Sequence, residues 1–161
     1  LKDYHSLNDS VSQIRADLDR HFDLVLDSTL AFMPGFEGLL EFLIQANIPR
    51  SICTSSSADY AANLIGRFGY LKEFDLILGG DQIENGKPAP DAYLKVAELL
   101  KIDPTTMLVL EDSENGCRAA IAAGAFTVAV PASHNIGQSY DNVDLIADKL
   151  SDPRILTALG L

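Results

Sequence analysis

Short apolar runs alternate with longer stretches of helical periodicity along most of this chain, and this alternation constrains its fold more than any other feature. The alternation indicates βαβ units, hence an α/β protein with a parallel sheet and helices on both faces. The predicted strands are RSICT (50–54), FDLILGG (74–80), TMLVLE (106–111) and AFTVAVP (125–131). VDLIAD (143–148) is a fifth, with a weaker strand pattern.

Segments with apolar residues at steps of three and four separate these runs and predict helices. Pro90 lies near the start of the third segment, where its missing N–H costs least, and Gly124 ends the fourth as a C-cap. The four segments are FEGLLEFLIQAN (36–47), Ala58–Phe68, GKPAPDAYLKVAELLK (86–101) and NGCRAAIAAG (115–124).

Composition excludes several classes of function. The 161 residues are 47% hydrophobic and 22% charged, which suits one globular domain with an appended piece. A formal net charge of −11 without a Lys/Arg cluster argues against nucleic-acid binding. No apolar run is long enough to span a bilayer and no leader opens the chain, so we expect a soluble, cytoplasmic protein.

The cysteines and histidines show no metal-type spacing. Cys53 and Cys117 lie far apart beside apolar residues, so we expect buried free thiols rather than a disulfide. His5, His21 and His134 are expected on the surface or in loops. The polar stretch 131–142 is expected to be a loop without chemistry.

Polar residues follow three of the predicted strands. Thr54-Ser55 ends the first, Gly86-Lys87-Pro88 follows the second, and Glu111-Asp112 ends the third. In open parallel sheets, ligands bind outside the carboxyl ends of the strands. Hydroxyls, backbone amides and an ammonium suit phosphoryl oxygens, while carboxylates suit Mg²⁺. Together they predict a magnesium-phosphate site.

Each segment also has a simpler explanation. The TSSS run alone is better explained as a strand-to-helix turn with an N-cap, and Lys87 as an exposed loop lysine. Glu111-Asp112 alone is explained by a solvated helix start. To exclude a site, all three simpler explanations would have to be true at once, in three separate loops. That combination is less probable than any one of them alone.

Three segments resemble motifs of the haloacid dehalogenase superfamily of hydrolases. SICTSSS, GKPAPDAY and VLEDSENGCRAAIAAGA are similar to its second, third and fourth motifs, in the branch of phosphoglycolate phosphatases and β-phosphoglucomutases. The resemblance implies a Rossmann-like core. It implies that Thr54 and the Ser55 amide bind a phosphoryl group, that Lys87 neutralises it, and that Asp112 ligates Mg²⁺, with Glu111 as a second ligand or acting through water.

The family's nucleophile motif is not found. Its Asp-x-Asp-Gly-Thr pattern is imitated only by LVLDSTLAF (24–32), which places Val25 at the nucleophile position. Apolar residues at 11, 14, 18, 22 and 25 instead predict a helix over 11–28, with N-cap candidates at 8–10. We therefore expect residues 1–30 to be the end of the family's helical cap and 31–161 its core. The nucleophile strand would precede Leu1.

The resemblance implies a parent enzyme, a magnesium-dependent phosphatase of a small phosphorylated metabolite acting through an aspartyl phosphate. This chain alone is expected to be inactive. A phosphomutase and a non-catalytic phosphate-binding module are the alternatives, while two adjacent carboxylates disfavour metal-free dehalogenation. The absent strand would lie mid-sheet, so an N-terminal fragment or a partner chain is expected to fill its slot.

Overall fold

The computed structural model describes residues 10, 13–14, 30–133 and 135–160. The chain divides into two compact units, 1–32 and 33–161. In the first, Gln13–Ile14 is helical, and Ser10 and Gln13 bond reciprocally as a capping box. The rest of the predicted helix over 11–28 lies outside the described residues, as do His5, His21 and His134. The assignment of residues 1–30 to a cap stays a prediction.

The second unit alternates strands and helices as predicted. None of the helices in its described part, or in the described residues of the first unit, is long and apolar enough to cross a bilayer. In chain order the elements are α1 (Phe36–Gln45), β1 (Ser51–Cys53), α2 (Ala58–Arg67), β2 (Leu76–Leu78), α3 (Asp91–Leu100), β3 (Leu108–Glu111), α4 (Glu114–Ala123), β4 (Phe126–Ala129), β5 (Leu145–Ile146) and α5 (Pro153–Ala158).

The strands form two separate parallel sheets. In one, β1 pairs with β2, with Ile52 opposite Ile77. In the other, the order is β3-β4-β5, with Val109 opposite Thr127. All pairs are parallel, which confirms the predicted α/β class. Within the described residues, β1 and β3 therefore each keep one edge that faces no strand.

Apolar residues pack on both faces of the strands. One cluster joins α3 and α4 to the strands, and includes Val96, Val109 and Ala120. The other joins α1 and α5 to β4, and includes Leu39, Val128 and Ile155. Small residues let α4 approach the sheet closely, since Ala119 and Ala120 are fully buried. Helices therefore cover both faces, as expected for parallel strands.

Candidate functional site

Lys87 links the carboxyl ends of β1 and β3. Its Nζ donates to the Cys53 carbonyl oxygen at 3.0 Å and lies 2.5 Å from Glu111 Oε1. The Lys87 side chain is only 9% exposed. It also lies 4.9 Å from the centre of the Tyr93 ring, within cation–π range. Lys87 is therefore a buried cation at the junction of two strand ends, not the exposed loop residue of the simpler explanation.

The Glu111 carboxylate is buried and held by three side chains. Oε1 accepts from Lys87 and from the Tyr93 hydroxyl, and Oε2 accepts from Ser113 Oγ at 3.1 Å. Gly116 packs against this carboxylate so closely that a Cβ at that position would collide with it. A buried carboxylate needs such partners, because desolvation otherwise disfavours its charge. In these contacts Glu111 anchors Lys87; whether it also ligates a metal stays a prediction.

The loop after β1 has the form of a strand-to-helix turn. Thr54 N–H donates to the Leu78 carbonyl, and Thr54 Oγ1 accepts from Ser56 N–H at 3.1 Å. Ser57 caps α2 by accepting from Tyr60 N–H. Ser55 is exposed. Thr54 directly follows Cys53, whose carbonyl binds Lys87, so the TSSS turn and the lysine lie at one end of the sheet.

Asp112 follows Glu111 and is held by the loop that follows β4. Asn135 Nδ2 donates to the Asp112 carbonyl at 2.6 Å and to its Oδ2 at 3.2 Å. Tyr140 donates to the same carbonyl at 2.6 Å. Gln138 Oε1 accepts from Glu114 N–H at the start of α4. The described residues of 131–142 form a loop, as expected, and this loop fixes the backbone of Asp112; that it takes no part in chemistry stays a prediction.

Of the predicted site residues, Lys87 and Glu111 are in direct contact, and Thr54 and Asp112 each follow a residue that Lys87 contacts. The roles of Thr54, Ser55, Lys87, Glu111 and Asp112 stay predictions. Within the described residues there is no group of three or more His, Cys, Asp or Glu side chains that could hold a metal. Asp112 is half-buried and offers hard carboxylate oxygens at the end of β3, which fits Mg²⁺, an ion that binds through one or two carboxylates plus water and phosphate.

Sequence reasoning missed Tyr93, Asn135 and Tyr140. A tyrosine on the apolar face of α3 signals a buried hydroxyl that needs a partner. The polar run after β4 also lies at the carboxyl end of a parallel strand, which is where ligand-facing loops gather. Either signal identifies a candidate residue, but neither identifies the group that it contacts.

Burial shapes the acid–base chemistry nearby. Burial, followed by the charge of Glu111, raises the pKa of Tyr93 far above its usual range, so its hydroxyl stays a donor. Burial, then Glu111 and Asp112, raises the pKa of Cys117 to about 11. Burial also raises the pKa of Cys53. Both cysteines are free, as expected, but Cys53 is only half-buried.

Fold and site together define an α/β protein whose ammonium, hydroxyl and carboxylate groups meet at the carboxyl ends of parallel strands. Groups of these kinds at the carboxyl ends of parallel strands commonly bind anionic ligands. The family model for haloacid dehalogenase-like hydrolases matches residues 2–130, and the chain belongs to that family. This confirms the resemblance drawn from the three motifs.

Curated proteins of similar sequence and solved structures of similar fold support this family assignment. The chain is 32% identical over 155 residues to the phosphoglycolate phosphatase of Escherichia coli K12, covering 95% of this chain and 61% of that protein. A proposed β-phosphoglucomutase from Thermotoga maritima superposes with a TM-score of 0.83 at 29% identity, over 99% of this chain and 74% of the other. CbbY from Rhodobacter sphaeroides, solved with phosphate, superposes with a TM-score of 0.82 at 29% sequence identity, over 96% of this chain and 71% of the other. The chain thus spans about three fifths of the curated relative.

Proposed function

We propose that this chain supplies the phosphate- and magnesium-binding part of a phosphohydrolase that acts on a small phosphorylated metabolite. One observation carries the proposal: Lys87 joins the ends of β1 and β3, and thereby brings the Thr54 turn and Asp112 to one rim. A related structure, CbbY, is described with bound phosphate, and the curated relative is a phosphatase.

The phosphoryl group would lie between the TSSS turn and Lys87. The Thr54 hydroxyl and the Ser55 N–H are donors of the kind that bind phosphoryl oxygens, and the Lys87 ammonium offsets their charge. Because Lys87 is held by Cys53 and Glu111, its position is set before a ligand binds. Such preorganisation stabilises the charge that develops during phosphoryl transfer.

Asp112 would hold Mg²⁺, with Glu111 contributing directly or through water. The ion, when bound, neutralises phosphoryl oxygens and orients the transferred group. Asn135 and Tyr140 hold Asp112 in place from the β4 loop. Outer contacts of this kind commonly tune metal affinity.

The attacking group would be an aspartate that the described residues do not supply. Its carboxylate would attack phosphorus and form an aspartyl phosphate, which water then hydrolyses. We propose that it arrives on a strand that fills the space between β1 and β3, from an N-terminal fragment or a partner chain. The chain by itself would then bind ligand without turnover.

Phosphomutase chemistry is the second candidate, because a solved neighbour with a TM-score of 0.83 is a proposed β-phosphoglucomutase. The same phosphate and metal groups serve both reactions, since each begins with transfer of a phosphoryl group to the enzyme. A non-catalytic phosphate-binding module is the third candidate, and it would keep the binding without the nucleophile.

Binding by the chain itself tests the proposal. Amide shifts of Thr54, Ser55 and Asp112 should move when MgCl₂ and inorganic phosphate are added together. Asp112→Asn should weaken Mg²⁺ binding by roughly tenfold or more, because it removes the ionised ligand. Thr54→Val should weaken phosphate binding while the metal still binds.

Two matched variants serve as controls. Asp148→Asn and Thr157→Val make the same chemical changes at exposed positions, and both should leave binding unchanged. Equal Mg²⁺ affinity for Asp112→Asn and Asp148→Asn would show that the metal assignment is wrong. Turnover of p-nitrophenyl phosphate by the 161-residue chain would show that its nucleophile has been misplaced.

A further inference from the structure

Two asparagines of this chain are followed by glycine, at Asn85-Gly86 and at Asn115-Gly116. The backbone nitrogen that follows an asparagine can attack the side-chain amide carbon and close a five-membered imide. Glycine favours this step, because it has no Cβ to obstruct the approach and leaves the backbone free to turn. The two pairs share one local sequence, so the surrounding structure decides whether either of them reacts.

The Asn85-Gly86 pair lies open to water. Both residues are exposed and belong to the irregular segment between β2 and α3. Apart from chain neighbours, no described atom lies within 4 Å of the position that a Cβ on Gly86 would take. The Gly86 carbonyl accepts from Ala89 N–H at 3.1 Å, but within the described residues the Gly86 N–H has no acceptor. This nitrogen can therefore turn toward the Asn85 side chain without breaking a bond.

The Asn115-Gly116 pair is closed to the same reaction. It lies in the first turn of α4, where the helical backbone fixes both residues. Gly116 is buried, its N–H donates to Ser113 Oγ at 3.1 Å, and the Glu111 carboxylate packs against it. Ring closure there would break the N-cap and unwind the start of a packed helix. The chain thus carries its own matched control.

The Asn85 side chain connects the loop to α3. Its Nδ2 donates to Asp91 Oδ1 at 2.8 Å, and Asp91 is the first residue of that helix. The bond is exposed, and exposed bonds open readily. Conversion of the amide to a carboxylate would remove this donor and place a second negative charge beside Asp91, which is repulsive.

Lys87 lies two residues after Asn85, and its contacts need a fixed backbone. Its Nζ donates to the Cys53 carbonyl at 3.0 Å and pairs with Glu111, and its side chain is only 9% exposed. In isoaspartate the main chain runs through the side chain and gains one carbon, which adds about 1.5 Å. The extra atom enters the segment that leads to the buried ammonium, so the contacts of Lys87 should weaken.

We propose that Asn85 is a site of spontaneous deamidation, which converts it to aspartate or isoaspartate and loosens the segment that holds Lys87. The Gly86 nitrogen bonds to Asn85 Cγ, and Nδ2 leaves as ammonia with the proton that the Gly86 nitrogen loses. Water then opens the imide: addition at the side-chain carbonyl gives aspartate, and addition at the main-chain carbonyl gives isoaspartate. The net change replaces ammonia with water, needs no other reactant and does not depend on the proposed function.

Peptide mapping of aged protein tests the proposal. The purified chain is incubated at mildly alkaline pH and digested with trypsin at intervals. Trypsin does not cleave before Pro88, so the two pairs fall in separate peptides, 73–95 and 102–118, each with one asparagine. Mass spectrometry measures the exchange of amide for carboxyl in each peptide, and electron-transfer fragmentation distinguishes isoaspartate from aspartate. The same chain unfolded in guanidinium chloride gives the rates that local sequence sets by itself.

In the folded chain, Asn85 should convert at least about tenfold faster than Asn115, and in the denaturant the two rates should agree within about threefold. Gly86→Ala, which places a Cβ in open space, should slow the conversion of Asn85 about tenfold. Gly38→Ala, also in open space, is its control and should leave the rate unchanged. Equal rates at the two asparagines of the folded chain, or a faster rate at Asn115, would overturn the proposal.

The aged chain tests the effect of the modification. Ion exchange separates molecules that carry the new carboxylate, and their Tm should be lower by about 2 °C or more. Asn63→Asp is the control for charge, because it adds the same charge at an exposed position on α2 and should leave Tm within about 1 °C. An unchanged Tm after conversion of Asn85 would show that residue 85 does not secure this segment.

Ageing of Lys87→Met tests the link to Lys87. Deamidation should lower its Tm by less than in the wild type, because the Lys87 contacts are already lost. An equal loss in both proteins would assign the effect to Asp91 alone and overturn the link. If Lys87→Met does not fold, hydrogen exchange of Ala89 decides instead, since its N–H bonds to Gly86 across Lys87. That exchange should be at least about threefold faster in the aged chain, and unchanged exchange would overturn the link.

Discussion

At the scale of single residues, Lys87 and Glu111 form a buried ion pair that serves structure as well as chemistry. Their side chains are 9% and 8% exposed, and Tyr93 completes the contacts of the carboxylate. A buried charge deprived of its partner is strongly destabilising, whereas an exposed pair contributes little. The burial of Lys87 therefore predicts that removing its charge costs stability as well as any ligand binding.

Lys87→Met should lower the free energy of unfolding by roughly 3–5 kcal/mol, because it leaves Glu111 buried without its cation. The double variant Lys87→Met/Glu111→Gln should recover part of this loss, since it removes the uncompensated charge. Urea unfolding of both proteins measures the difference. Lys95→Met is the control: its pair with Glu98 is exposed, and the change should stay within about 0.5 kcal/mol. Equal losses for Lys87→Met and Lys95→Met would contradict the account.

At the scale of elements, the start of α4 carries the acidic end of β3 into a helix. Ser113 accepts from Gly116 N–H at 3.1 Å as the N-cap and donates to Glu111 Oε2 at 3.1 Å. One hydroxyl therefore satisfies a helix terminus and a buried carboxylate together. Ser57, which caps α2 at 3.3 Å, has only the first of these roles.

Ser113→Ala should cost about 2 kcal/mol, made up of a lost cap and a carboxylate oxygen left without its donor. Ser57→Ala should cost less, about 0.5–1 kcal/mol, because only the cap is lost. Chemical denaturation of the two variants ranks them, and Ser113→Thr, which keeps the hydroxyl, should lie near wild type. A larger loss for Ser57→Ala than for Ser113→Ala would show that the Glu111 contact adds nothing.

At the scale of the 33–161 unit, its sheet is divided in two, and an apolar cavity separates the halves. Parallel sheets are normally buried and continuous, because each inner strand bonds on both sides. Here β1 and β3 each bond on one side within the described residues. Amide hydrogen exchange should reflect this one-sided pairing, because unpaired N–H groups exchange with water faster than hydrogen-bonded ones.

Amide exchange should therefore alternate along β3. The N–H groups of Val109 and Glu111, directed toward β4, should exchange at least about tenfold more slowly than those of Leu108 and Leu110. Residue-resolved hydrogen exchange by NMR measures this directly. Equal protection along β3 would mean that its open edge is already paired.

Much of the fold follows from local pattern. Apolar runs around Ile52, Ile77 and Val109 became strands, and Gly124 ends α4 in the left-handed conformation expected of a C-cap. Pattern overestimated strand lengths, most of all for VDLIAD, of which only Leu145–Ile146 pairs. Apolar residues continue past the point where a neighbouring strand stops offering hydrogen bonds, and periodicity does not report that point.

The sequence by itself determined the α/β alternation, the family motifs and the three polar strand ends, because each of these is a pattern of neighbouring residues. The tertiary structure alone decided that Lys87 is buried between Cys53 and Glu111, that Tyr93 shares the carboxylate, and that the 131–142 loop holds Asp112. These contacts join residues 18 to 34 positions apart. Such contacts depend on how strands and helices pack, and a local sequence pattern does not show which residues far apart in the chain come together.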